Sequence, residues 1–271
     1  MREFLSSFTK IEFEKVRQRI GGLLQTPMAV EHLQALGPKT DEAWIRSELG
    51  LTSEMKRLLE EGTTVPIRGL ADVRTALQRA TIVDFVLPAA DLLHIAHLAA
   101  NSRELRSFFS KREIEVPGLF GLIVPLTSEK ALEADIMGSI EPDGRIADNA
   151  SPALATLRRA QRRKAESLRR QMETILSSLH KKGVTQEELI TTRGGRLVIP
   201  VRAEFKHQVP GFIHSISASG ATAFIEPTQT LDMNNELRTL ESQELQEIEK
   251  ILKHLTSRVR EAAPALLKDI S

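Results

Sequence analysis

The sequence has no cysteine, which excludes disulfides and thiolate metal sites and fits a cytoplasmic location. It has no tyrosine and one tryptophan, and aromatics make up 4% of the residues. That scarcity suits Leu- and Ala-rich helix packing better than a β-sandwich. No apolar run reaches the ~18 residues of a membrane span, so no membrane partner is expected. Met1-Arg-Glu-Phe-Leu5 is followed by no apolar stretch of the kind a signal peptide carries. Nowhere does Gly-x-x-x-x-Gly-Lys precede Ser or Thr, so the chain has no phosphate-cradling loop of that type. The formal net charge is +1. Overall charge therefore selects no partner, and its distribution carries the information.

Two long stretches free of helix breakers are present. Leu154 to Lys182 contains neither Gly nor Pro, with Pro152 just ahead of it, and Leu231 to Ala263 is likewise free of both. About 30 residues at ~1.5 Å each make an arm of roughly 45 Å. Ser151 is the expected N-cap and Pro152 the first helical residue. The outgoing helix has an apolar line at Leu154, Leu157, Gln161, Ala165, Leu168, Met172, Ile175 and Leu179. The returning one shows Leu245, Ile248, Leu252, Leu255, Val259 and Ala262. Steps of three and four mark a pairing seam, and two such helices joined by a compact insert are expected to lie antiparallel.

The outgoing helix is basic: Arg158, Arg159, Arg162, Arg163, Lys164, Arg169, Arg170, Lys181 and Lys182 face only Glu166 and Glu173. The first half of the returning helix is acidic, with Asp232, Glu236, Glu241, Glu244, Glu247 and Glu249 against Arg238. Two readings stand: a phosphate-binding stripe, or charge pairing between the helices. The basic excess is the larger, so some arginines are expected to face solvent.

Ahead of the arm, residues 1–150 read as short helices separated by Gly and Pro. Phe13, Val16, Ile20 and Leu24 recur at helical spacing. Thr26-Pro27 starts a second helix that ends at Gly37-Pro38, and Thr40-Asp41 caps a third that stops at Gly62. Leu70 to Arg79 is a short amphipathic helix. Pro88 to about Lys111 is a longer one with Leu92, Ile95, Ala96, Ala99 and Leu105 inward. Ser128 to Ile140 is helical.

Between the long helices the period changes to two. Leu197, Ile199, Val201 and Ala203 point one way, and Arg196, Val198 and Arg202 the other. Gly194-Gly195 makes a tight hairpin with a strand around Ile190–Thr192. Pro200 makes its strand an edge or marks a bulge. Ser219-Gly220 turns the strand from Phe212 into Ala221–Ile225. So small a sheet needs the helix ends as its floor, and Phe205, Phe212 and Phe224 are assigned to the core.

No catalytic constellation is visible. His94 and His97, three apart on one helix, read as surface or core residues rather than metal ligands. Ser217 and Ser219 lack a Gly-x-Ser-x-Gly elbow. Glu187-Glu188 read as helix N-terminal acids behind Thr185, and His207 and His214 as surface residues within reach of phosphate.

Gly195-Arg-Leu-Val-Ile-Pro-Val-Arg-Ala-Glu-Phe-Lys206, Val209-Pro-Gly-Phe-Ile-His214, Ser217-Ala-Ser-Gly-Ala-Thr-Ala-Phe-Ile-Glu-Pro227 and Asn234-Asn-Glu-Leu237 resemble the clamp region of the MutS family. They are most similar to its second bacterial branch. Ile11-Glu-Phe-Glu-Lys15, Leu70-Ala-Asp-Val-Arg-Thr-Ala-Leu77 and Asp143-Gly-Arg-Ile-Ala-Asp-Asn-Ala-Ser-Pro152 extend the resemblance along the chain. It implies a helical core, lever helices and a clamp that touches nucleic acid. It also implies a homodimeric parent with an ABC-type ATPase after this stretch, using ATP and Mg, and a C-terminal Smr endonuclease domain. The fragment itself is expected to hold no cofactor and no metal and to be no enzyme. The mismatch-reading domain of the repair branch is not found here. Phe224-Ile225-Glu226 has the letters of that branch's wedge but sits in a clamp strand.

The expected fold is mainly α: a helical core bundle plus a long antiparallel helical hairpin, the lever, carrying a small antiparallel β clamp at its tip. The expected divisions are core 1–150, outgoing lever helix 151–183, clamp 184–227 and returning lever helix 228–271, cut before an ATPase domain. The expected task is sequence-independent binding of DNA, branched DNA included, coupled to that ATPase, and the resemblance implies suppression of homologous recombination. A ribosome or rRNA target, for splitting collided ribosomes, and a pure dimerisation scaffold are the alternatives. Arg193, Arg196, Arg202, Lys206 and His207 are the candidate phosphate contacts, with Arg158, Arg162, Arg163 and Arg169 as a secondary basic arm.

Overall fold

A computed structural model describes residues 12–37, 39–67, 69–185 and 189–270. The described chain is mainly helical with one four-stranded antiparallel sheet. It divides into two compact units, one formed by residues up to Ala147 together with Ile251 onward, the other by Asp148–Lys250. Expectations on Ile11, Pro38 and Glu187-Glu188 lie outside the described residues.

The first unit begins with α1 (Phe13–Gly21), α2 (Pro27–Ala35) and α3 (Glu42–Glu60). Thr26 caps α2 by accepting from the Ala29 amide at 3.2 Å, and Asp41 caps α3 by accepting from Trp44 N at 3.1 Å. After α4 (Arg74–Ala80) comes α5 (Ala89–Ser110), whose Leu92, Leu93, Ile95, Ala96, Leu98, Ala99 and Ala100 are all buried. A helix buried on so much of its circumference lies inside a core rather than along its edge. It packs against α6 (Pro117–Ile123) and α7 (Lys130–Ser139). α6 carries no periodic pattern that sequence reading detects, because its seven residues make two turns. Its Leu119 closes a cluster with Leu58, Phe109 and Val116. Two buried polar groups of this unit are partnered: Asn101 Nδ2 donates to Pro66 O at 2.7 Å, and Thr256 Oγ1 accepts from Leu87 N at 3.0 Å. His94 and His97 are exposed on α5.

The second unit holds α8 (Pro152–Lys181), β1 (Thr191–Arg193), β2 (Arg196–Arg202), β3 (Gly211–Ile216), β4 (Thr222–Pro227) and the start of α9 (Leu231–Ile270). Ser151 caps α8 by accepting from Leu154 N at 3.0 Å, with Pro152 in the first turn. Contacts between α8 and α9, and the residues just ahead of each, descend along one as they ascend along the other. Gln171 Nε2 donates to Gln229 O, Lys164 pairs with Glu236, Gln161 Nε2 donates to Leu240 O, Arg158 pairs with Glu244, and Ser151 Oγ bonds Glu247.

The seam read on the returning helix differs from the one found. Leu245 is 68% exposed. Ile251, Leu255, Val259, Ala262, Ala263 and Leu266 are buried, but they belong to the first unit. Beside α8 the inward positions are Met233 and Leu237. On α8 the buried residues are Leu154, Leu168, Met172 and Leu176. The three-four spacing runs unbroken through α9, so spacing alone does not reveal that the partner changes along it.

The sheet order is β1-β2-β4-β3. Its inner face, Ile199, Val201, Ala223 and Ile225, is buried on Leu168, Met172 and Leu176 of α8, so the helices are its floor. Pro200 stands in an inner strand, paired with Phe224 of β4. The β1 ladder stops at Thr191–Val198, so on that side β2 is a local edge where a missing N–H breaks no bond. The irregularity lies instead in β3, where His214 is the extra residue between the pairs of Ile213 and Ser215.

Candidate nucleic-acid interface

Gly194 and Gly195 both have positive φ, 56° and 76°, the geometry of a two-residue hairpin turn between β1 and β2. Side chains of α9 hold this hairpin. Arg238 donates to Gly194 O at 2.8 Å. Asn234 accepts from Leu197 N at 3.2 Å and donates to Leu197 O at 3.4 Å. These amide bonds serve a stretch of β2 that β4, paired from Ile199 to Arg202, does not reach.

The outer face of the sheet forms a cleft of about 270 Å³ lined by Leu189, Thr191, Arg193, Pro200, Val201, Arg202, Thr222 and Phe224. The Arg193 guanidinium lies 4.1 Å above the Phe224 ring centroid. Arg202 Nε is buried with no hydrogen-bond partner. Glu204, two residues on, is exposed and forms no ion pair with Arg202, although both line a second, shallow depression. The phenylalanines also depart from the reading that assigned them to the core. Phe212 is 64% exposed and Phe224 lies on the cleft, while Phe205 alone packs against the buried cluster. Period two puts Phe224 opposite Ala223 and Ile225, and these two fill the core.

The five clamp cations fall into different settings. Arg193 and Arg202 line the cleft. Lys206 and His207 lie on the 3-10 turn Ala203–Gln208, Lys206 half-buried and His207 exposed, with no ion-pair partner among the described residues. Arg196 is engaged: it donates to Glu226 Oε1 at 2.8 Å and to Asn235 Oδ1 at 2.6 Å. Glu226 is 1% exposed and also meets His214 Nε2 at 2.6 Å. The extra residue in β3 lets His214 reach Glu226, since Phe212 is its ladder partner. Close approach of the strands at this point requires Gly211, where a Cβ would collide with the Glu226 carbonyl. No sequence signal marks Glu226 as the centre of a buried charge network.

On α8, charge pairing accounts for part of the basic stripe. Arg158 bonds Glu244 through Nε at 2.7 Å and Asp148 through a terminal nitrogen at 2.6 Å. Burial works against the Arg158 charge, and the bonds to Glu244 and Asp148 outweigh it and raise its pKa. Arg162 also bonds Asp148. The bonds from Arg158 and then Arg162 hold the Asp148 carboxyl below the usual range. Arg169 pairs along its own helix with Glu173 at 3.0 Å. Arg163, Lys181 and Lys182 are exposed and have no ion-pair partner among the described residues. Lys181 and Lys182 line a shallow groove with Arg170, Glu173, Thr174, Ser177 and Ser178. No group of three or more metal-ligating side chains occurs among the described residues, and no described helix is long and apolar enough to cross a membrane.

No protein-family model matches the chain. Its sequence is 38% identical over 257 residues to a protein of Symbiobacterium thermophilum named endonuclease MutS2, covering 95% of this chain and 32% of that one. It is 34% identical over 260 residues to the protein of the same name from Thermomicrobium roseum, covering 95% and 33%. With that from Acetivibrio thermocellus it shares 36% identity over 264 residues, covering 96% and 33%. The chain thus spans about one third of the length of these relatives.

Proposed function

From a chain that is MutS2-like over nearly its whole length, we infer a non-catalytic core, lever and clamp piece that grips nucleic acid without reading sequence. In this reading α8 and the first part of α9 are the lever, and the sheet is the clamp. DNA is the ligand, the whole protein works as a dimer, and an ATPase outside this chain drives the grip. The role is suppression of homologous recombination. The relatives are named endonucleases, and the cutting activity is assigned to the part of the parent that this chain does not span.

The observation that carries the reading is unpaired positive charge. Arg163, Lys181, Lys182, Arg202, Lys206 and His207 have no carboxylate partner among the described residues, whereas Arg158, Arg162, Arg169 and Arg196 do. Cations left free on an arm and a clamp contact phosphates and fix position without sequence information. The test is fluorescence anisotropy with labelled duplexes of unrelated sequence across a salt series. Lys206→Ala/His207→Ala and Arg163→Ala/Lys182→Ala should each weaken binding equally on all sequences. Each lost contact should flatten the log–log salt slope by about 0.9. Duplex binding that is absent, or unaffected by salt, overturns the reading.

A further inference from the structure

The cleft on the outer sheet face differs from the rest of the cationic surface in three respects. It is partly enclosed, whereas Lys181 and Lys182 stand on an open groove. Its described lining has two arginines, two threonines and an apolar base of Leu189, Pro200, Val201 and Phe224, with no carboxylate. Arg202, which lines it, has no carboxylate partner among the described residues, and its Nε–H is buried without an acceptor. A guanidinium without a carboxylate partner is left to hold an anion.

The rest of the lining indicates what the anion is attached to. A bare phosphate has no use for the apolar base. At about 270 Å³ the space falls just below the range of small-molecule pockets; it admits a base or a sugar phosphate and excludes a duplex. Arg193 is exposed, and its guanidinium already lies flat against Phe224. One face of that plane is fixed by the ring, which leaves the other to stack on a nucleobase, as arginine planes do in single-strand recognition. Thr191 and Thr222 belong to the same lining. The edge at Pro200, where β1 has ended and no N–H seeks a partner, keeps the cleft free of backbone donors from β2 at that point.

We propose that this cleft holds one unpaired base of a single strand, stacked on the Arg193 guanidinium, with the adjoining phosphate held by the Arg202 guanidinium. This rests on the nucleic-acid reading above and adds to it a substrate class, an unpaired segment rather than a continuous duplex. Single-stranded regions next to duplex are then the favoured ligand: the free cations grip phosphates and the cleft takes one base.

The experiment measures anisotropy of this chain with labelled oligothymidylate and with a labelled blunt duplex, at matched salt. Three variants are compared with the parent after thermal melts show each is folded. Arg193→Lys keeps the charge and removes the plane. Phe224→Leu keeps an apolar side chain and removes the ring beneath the plane. Arg202→Gln removes the donor and the charge. The expected result is a single-strand preference that Arg193→Lys and Phe224→Leu each reduce by roughly tenfold with an unchanged salt slope. Arg202→Gln should flatten the single-strand slope by about 0.7. The inference is overturned if duplex and oligothymidylate bind alike and Arg193→Lys leaves both unchanged, an outcome in which general phosphate binding still stands. Absence of binding to either ligand overturns both.

Discussion

Glu226 is 1% exposed in β4, with Arg196 on one carboxylate oxygen and His214 Nε2 on the other. Removing one member of a buried pair leaves the others without compensation. Glu226→Ala is expected to cost about 3 kcal/mol, the low end of the range for such sites, because Arg196 and His214 each retain a quarter of their exposure. The midpoint of a denaturant melt gives the value; a loss under ~1 kcal/mol would mean that the network carries little stability. Gly211→Ala should cost roughly 1–3 kcal/mol by overpacking against the Glu226 carbonyl. In the first unit Glu133 chelates Arg103 at 2.8 and 2.9 Å, and that bond first of all holds its pKa below the ordinary carboxylate value. A lowered acid stabilises the fold fully above its unfolded pKa, and this stability is lost as pH falls through the folded value. Glu133→Gln should therefore lower Tm at neutral pH, and the gap to the parent should shrink as the pH is brought into the acid range. A gap independent of pH would show that the ion pair contributes nothing.

At the scale of elements, α8 is defined at its start by Ser151 and Pro152 and is anchored further along by Leu168, Met172 and Leu176. Leu168 is 0% exposed within a cluster that joins helix to sheet. Leu168→Ala is expected to cost roughly 2–4 kcal/mol. Leu245→Ala, at a position 68% exposed, should change stability by less than ~0.5 kcal/mol. Reversible urea melts of the two variants test the register; equal losses would return Leu245 to the seam. Pro264 stands inside α9, and the helix continues to Ile270. Ala263 and Leu266 on either side are buried, and their packing outweighs the missing hydrogen bond, which costs ~3 kcal/mol in an unsupported helix.

Taken as a whole molecule, the chain corresponds to about a third of each relative and contains no phosphate-loop sequence. It divides into two units, each with its own buried cluster. Purified to constant specific activity, the chain is expected to hydrolyse no ATP and to cut no plasmid or oligonucleotide. Turnover that follows the protein through repurification would contradict this.

The sequence by itself determined the elements whose signals are local. Ser151-Pro152 started α8, Gly194-Gly195 turned β1 into β2, Thr26 and Asp41 capped their helices, and the alternation through Leu197, Ile199 and Val201 set the inner face of the sheet. Caps, tight turns and period two depend on neighbours a few residues away, so they are legible in order along the chain. Tertiary structure decided which cations are free. Arg196 and Arg202 lie in one strand and on one face, yet Arg196 meets Glu226, 30 residues on, and Arg202 meets no acceptor. Arg158 finds Glu244 at a separation of 86 residues, while Arg163 remains in solvent. The same holds for Leu245 and Phe212, apolar residues that the fold leaves exposed. Charge and hydrophobicity are properties of a residue, but whether either is compensated depends on what the fold brings within a few ångströms.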